Sequence, residues 1–309
     1  MRVWINGSFI EDSDASVGVF DAGFQHGVGL FETMIARNGR VFRAEQHMER
    51  LANSAVMLRL TEKLQTEPLI DALQLVLEEN NQTEARVRLI ITGGDLNMLQ
   101  RTGNSESGDP TIVIQTQPPT EYPDSFYENG VLVSLASGRA NPYELTAGHK
   151  TLQYWSRLLN LQLAAMQQCG EALWLTPSAT VTGGCVSNIF LVKDGTLLTP
   201  MAQGEESGED EPSAVLPGIT REVVIHLADS LGVGTSRGVA TLDDVLMADE
   251  VFFTNSSWGV LPMIGIRASV EIEGEAGSQD QAIGDGVVGK LTKQLHLSYQ
   301  ECVDRETGI

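Results

Sequence analysis

The segment Gln117-Pro-Pro-Thr-Glu-Tyr-Pro123 constrains this chain more than any other. A proline has no N–H to give and a fixed φ. Three of them in so short a run fit neither a helix interior nor a central strand. The break divides 309 residues into two lengths, each long enough to close its own core. We place a small N-terminal α/β domain at residues 1–120, an interdomain connection at 121–130 and a larger C-terminal domain at 131–309.

Ahead of the break, Asn6-Gly7 and Asn38-Gly39 are hairpin signals. Met48, Leu51, Ala55 and Leu58 recur at spacings of 3, 4 and 3, so residues 43–60 read as an amphipathic helix. Residues 67–79 repeat that pattern, and Arg86–Thr92 and Thr111–Gln115 read as strands. Beyond the break, Val131–Ala136, Glu171–Thr176 and Asn188–Val192 read as strands. Residues 151–168 read as a helix whose apolar face is Leu152, Trp155, Leu159 and Leu163. A further helix starts near Thr220 and ends at Gly232, where a C-cap glycine belongs. Residues 203–213 hold five acids between 205 and 211 and no large apolar side chain, which predicts a solvated loop with no part in a site.

Lys and Arg number 20 against 41 Asp and Glu, a formal charge of −21. Such a surface repels nucleic-acid phosphates and anionic membranes. No apolar run is long enough to span a bilayer, and the start lacks a signal-peptide core. Cys169, Cys185 and Cys302 are too few and too scattered for a disulfide framework or a metal site, which points to the reducing cytoplasm.

Four pieces carry chemistry. Leu216-Pro-Gly-Ile-Thr-Arg221 turns sharply into a helix, and the free N–H groups of a first turn at Ile219 and Thr220 suit either an ordinary cap or a phosphate. Thr254-Asn-Ser-Ser257 follows an apolar strand and is either a polar turn or a set of phosphate donors, among them Asn255 and Ser256. Arg50 lies beside the apolar stripe of its helix, at the surface or reaching an anion. Lys150 closes an irregular stretch just before a helix, where a desolvated amine can attack a carbonyl.

In order, "Asp-Ala-Gly-Phe-Gln-His-Gly … Phe-Glu-Thr", "His-Met-Glu-Arg-Leu", "His-Lys-Thr-Leu-Gln-Tyr", "Ser-Asn-Ile-Phe-Leu-Val-Lys-Asp-Gly", "Leu-Pro-Gly-Ile-Thr-Arg" and "Thr-Asn-Ser … Gly-Val-Leu-Pro" resemble the class IV aminotransferases from about Val3 to about Leu295. These fold-type IV pyridoxal-phosphate enzymes include branched-chain aminotransferase, D-amino acid aminotransferase and 4-amino-4-deoxychorismate lyase. The resemblance implies a two-domain α/β (α+β) fold with pyridoxal 5'-phosphate in the cleft between domains. It implies a homodimer, a small amine or amino-acid substrate, and transaminase or lyase chemistry. Lys150, in the C-terminal domain, would hold the pyridoxal covalently and move the substrate proton. Arg50, Ile219, Thr220, Asn255 and Ser256 would hold the phosphate.

The pattern breaks in three places. Where the family carries a Glu for the pyridine nitrogen, this chain has Gly183, so the resemblance leaves a second possibility: a cofactor-binding homologue with weak or no catalysis. Gly93 stands where the D-amino acid enzymes have an Arg for the substrate carboxylate, which argues against a D-amino acid. Asn255-Ser-Ser-Trp-Gly259 replaces the branched-chain pattern in the second phosphate loop and is closer to the lyase style.

Overall fold

The computed structural model describes residues 1–95, 110–208, 211–272 and 275–308. Glu209 and Asp210 of the acidic segment therefore lie outside the described residues. The chain divides into two compact units. The first is Met1–Thr120, His149–Gln153 and Val303–Ile309, and the second is Glu121–Gly148 and Tyr154–Cys302. The chain first crosses between units at Thr120, beside the prolines, and Lys150 clusters with the first unit. The reason is backbone pairing, given below.

In the first unit, β1 (Arg2–Ile5), β2 (Ser8–Glu11), β3 (Gly29–Arg37), β4 (Arg40–Val41), β5 (Ala85–Thr92) and β6 (Ile112–Gln117) form one antiparallel sheet. Its order is β2-β1-β6-β5-β3-β4. A short helix α1 (Ala22–His26) precedes β3, and α2 (Ala44–Met57) and α3 (Thr66–Glu79) follow β4. Leu30, Met34, Val87, Leu89 and Ile91 interleave with Met48, Leu51 and Ala55 of α2 and Leu69, Leu73 and Val76 of α3. Strand alternation therefore commits one sheet face to the helices and turns Phe31, Thr33, Arg86, Arg88 and Ile90 to the other.

The second unit opens with α4 (Asp124–Glu128) and β7 (Val131–Leu135), continues through α5 (Trp155–Met166), β8 (Glu171–Leu175), β9 (Val181–Gly183) and β10 (Asn188–Lys193), and reaches β11 (Thr196–Pro200). Then come α6 (Ile219–Ser230), β12 (Thr235–Gly238), α7 (Leu242–Leu246), β13 (Glu250–Asn255), β14 (Gly259–Ile272), β15 (Glu275–Ala282) and α8 (Lys290–Thr307), whose residues from Val303 on belong to the first unit. Its strands run β12-β11-β10-β13-β14-β7-β8-β9, with β15 on β14. The predicted stop of α6 is present: Gly232 has φ +73° just past the C-cap Leu231.

One helix differs from its prediction. α5 starts at Trp155, and it buries Asn160 and Ala164 rather than the large apolar stripe. Trp155 is 81% exposed, and Leu159 and Leu163 are also exposed. Asn160 explains the rotation, since its Oδ1 accepts from Ser137 N (2.8 Å) and Ser137 Oγ (3.0 Å) and fixes that face inward.

Candidate active site

Lys150 reaches the first unit through its backbone. Its carbonyl accepts from Phe31 N (3.0 Å), Leu152 N donates to Gly29 O (3.0 Å), and Leu30 and Thr151 form an antiparallel bridge. His149 adds an anchor to α2 through Nδ1 and Ser54 Oγ at 2.9 Å. Residues 150–152 thus pair with the start of β3, and the Lys150 Nζ comes to rest 4.3 Å from the centre of the buried Phe31 ring. Arg88, on the same sheet face, holds its guanidinium carbon 3.9 Å from that ring centre. Two half-buried cations against one aromatic ring make an electropositive corner that suits an anionic group.

On the opposite sheet face, Glu32 is fully enclosed. Arg50 donates to both its oxygens, Nε to Oε1 at 2.9 Å and Nη2 to Oε2 at 2.5 Å, and His47 Nδ1 lies 2.8 Å from Oε2. Burial alone would raise the Glu32 pKa, but the Arg50 charge and the His47 hydrogen bond outweigh it and hold it at about 2. Burial lowers the His47 pKa against the pull of Glu32, so this imidazole is neutral at pH 7 and Arg50 is the true counter-ion. Arg50 is therefore no surface residue: its guanidinium is fixed by a buried carboxylate.

In the second unit, Asn188 organises the entry to α6. Its Nδ2 donates to Leu216 O at 2.8 Å, and its side chain packs so closely on Gly218 that any Cβ there would collide. Among the described residues no side chain caps α6, whose first turn carries Ile219 and Thr220. Thr220 is buried. Asn255 is spent on shape: its Oδ1 accepts from Ser257 N (2.8 Å) and Trp258 N (3.0 Å), bending the turn that carries Ser256. Among the described residues, the buried Thr254 Oγ1 and Trp258 Nε1 have no hydrogen-bond partner. The uncapped start of α6 and the orphaned Thr254 hydroxyl offer donors that an anionic phosphate can complete, so the residues of this unit fit the pyridoxal phosphate.

The Gly183 loop carries a different carboxylate. Glu171, completely buried, accepts from Cys185 N (3.0 Å), Val186 N (3.3 Å) and Ser187 Oγ (2.9 Å). Burial raises its pKa, and these donors offset part of that rise. Arg157 Nη1 donates to the carbonyls of Gly184 (3.1 Å) and Cys185 (3.2 Å). Gly183 itself has φ +132°, and a Cβ there would meet Ser187 O at 2.6 Å.

Sequence reasoning named Lys150, Arg50, Ile219, Thr220, Asn255 and Ser256. It missed Glu32, His47, Arg88, Glu171 and Asn188 as working residues. Glu171 left a signal, a lone acid opening the apolar run Glu-Ala-Leu-Trp-Leu. Arg88 left none, because it is one of two arginines in an alternating strand.

Comparison with known proteins gives a consistent result. The model of the family described as amino-transferase class IV matches residues 29–266. A Methanocaldococcus jannaschii protein assigned as a branched-chain-amino-acid aminotransferase is 33% identical over 97% of this chain and 96% of its own length. A D-alanine aminotransferase of Listeria monocytogenes is 30% identical over 100% of this chain and 98% of its own. The branched-chain amino acid aminotransferase structure of Escherichia coli superposes with a TM-score of 0.84 at 27% identity, covering 99% of this chain and 95% of that one. The 4-amino-4-deoxychorismate lyase of Pseudomonas aeruginosa shares the fold, with a TM-score of 0.79 at 24% identity over 99% of this chain and all of that one. Nothing in these similarities supports the alternative of a homologue without catalysis. The chain belongs to the class IV aminotransferase family and is a pyridoxal-phosphate-dependent enzyme.

Proposed function

We propose that this enzyme moves the amino group of an α-amino acid, with Lys150 as the lysine that bonds the cofactor and carries the proton at the substrate carbon. The observation that carries this reading is the Lys150 amine beside the Phe31 ring with Arg88 on the same ring, a nucleophile next to a carboxylate-binding cation. Arg50, held by Glu32, binds the phosphate together with Ile219, Thr220 and Ser256, while Asn255 shapes the turn. When bound, the cofactor supplies an electron-accepting ring, and the protein supplies orientation, water exclusion and the proton. In this reading Arg88 takes the place of the clamp that Gly93 does not supply.

The enzyme works as a homodimer in the cytoplasm. Trp155, Leu158, Leu159 and Met166 leave an exposed apolar face on α5, which a second copy covers. Three buried free cysteines fit a reducing compartment, and no helix among the described residues is long and apolar enough to cross a membrane. The test is spectroscopic. Holoenzyme absorbs at the edge of the visible, borohydride fixes the pyridoxyl group on Lys150, and Lys150→Ala loses the band. A band that survives in Lys150→Ala refutes the assignment. Amino-acid and 4-amino-4-deoxychorismate donors then separate transfer from lyase chemistry.

A further inference from the structure

The acidic segment after β11 is built into the protein where it is described. Glu205 grips Arg221 with both oxygens, Nη1 to Oε1 at 2.8 Å and Nη2 to Oε2 at 2.8 Å. It also accepts from Ala202 N at 2.8 Å and faces Arg237 Nε at 3.3 Å. Glu206 accepts from Gly204 N (2.5 Å) and Ser213 N (2.7 Å), closing the two ends of the loop on each other. The solvated loop expected from composition is thus corrected at its base. Composition counts acids but does not see the buried arginine that one of them serves.

Arg221 is 1% exposed and belongs to the first turn of α6, directly after Ile219 and Thr220. Its remaining donors tie that turn to the end of β11, Nε to Thr199 Oγ1 at 3.2 Å and Nη2 to Pro200 O at 3.1 Å. A buried guanidinium can keep this seat only with a counter-charge, and Glu205 supplies one. The same loop packs on Gly148, two residues before Lys150: a Cβ on Gly148 would collide with Gln203 and approach Ser213 O at 3.3 Å.

We infer that Glu205 is a positioning residue for cofactor phosphate: through Arg221 it fixes the first turn of α6, so that the Ile219 and Thr220 N–H groups stand ready for the anion. The inference rests on the reading of that turn as the phosphate seat. Glu205 touches no ligand. Its contribution is to stop Arg221 from leaving its pocket and drawing the turn with it. A simple charge argument predicts the opposite sign. If Glu205 only neutralised Arg221, removing it would free a cation near the phosphate and tighten binding.

The experiment titrates full-length apoenzyme with pyridoxal 5'-phosphate and with pyridoxal, read by tryptophan fluorescence. In Glu205→Ala the dissociation constant for pyridoxal phosphate should rise about tenfold or more while that for pyridoxal moves less than about twofold. Glu205→Gln keeps one acceptor oxygen without the charge and should fall between. Should Glu205→Ala fail to fold, Glu205→Ala/Arg221→Met removes both charges, should fold, and should still show the weakened phosphate preference. Equal loss for both ligands, no loss, or tighter phosphate binding overturns the inference while leaving the function intact. Wild-type apoenzyme that shows no preference for the phosphorylated ligand overturns the phosphate seat, and this inference with it.

Discussion

At Gly183 a side chain has nowhere to go. Its φ of +132° is open to glycine alone among ordinary residues, and Ser187 O blocks the Cβ direction at 2.6 Å. The missing carboxylate is therefore not a simple exchange of one side chain: the backbone here is committed to glycine, and the loop is built on Glu171 from behind. We expect Gly183→Ala to destabilise the protein by about 1–3 kcal/mol in urea unfolding, and an unchanged midpoint would show that the loop relaxes freely. Glu32 gives the converse case, a charge that must stay. Glu32→Ala leaves Arg50 and His47 facing an emptied pocket and should cost about 3–5 kcal/mol by the same measurement, with weaker cofactor binding as Arg50 loses its aim. Lys150 and Arg50 stand out in the sequence because their neighbours form recognisable motifs. Arg88, Asn188 and Glu205 were not, because their meaning lies in partners far along the chain, such as Phe31, Leu216 and Arg221.

Among elements, α2 and α3 form where periodicity predicts them, because their apolar stripes face one sheet and bury against Leu30, Met34 and Leu89. α5 has an equally regular stripe and turns much of it outward. Periodicity reports that a helix has an apolar face. It does not report whether that face meets its own chain or another. If a second copy covers α5, Trp155→Glu/Leu159→Glu should give a monomer by sedimentation while far-UV circular dichroism holds. A dimer that persists would assign the interface elsewhere. Cys185 belongs to the same scale. Burial, with the Glu171 charge, pushes its thiol up to about 12, and Trp174 Nε1 donates to its sulfur at 3.2 Å. It should resist thiol reagents in the folded protein and react at once in denaturant, as judged by mass spectrometry.

For the whole molecule, acid stability follows from the sign of the carboxylate shifts. Glu32 titrates near 2 in the fold against an ordinary 4.5, so its contribution is complete above about pH 4.5 and is lost as pH falls toward 2. Glu205 adds in the same direction: burial raises its pKa, but Arg221 and Arg237 outweigh that and lower it. Glu171, whose pKa is raised by burial, works the other way and favours folding as pH falls. Melting temperatures from pH 7 to 3 should therefore fall in wild type, and fall less steeply in Glu32→Gln, whose starting value is lower.

The pairing of residues 150–152 with β3 has a consequence for dissection of the gene. The first unit is assembled from three separate lengths of chain, so the peptide passes from one unit to the other at residues 120, 148, 153 and 302. A fragment ending at the prolines would expose the Gly29–Phe31 backbone that Lys150 and Leu152 satisfy in the intact chain. Such a fragment is a receptor lacking its strand, and a synthetic peptide spanning 148–154 is the natural partner to restore it. The residue proposed for the chemistry is thereby also a fastening: the gene cannot be cut between domains without removing the lysine from the sheet it pairs with.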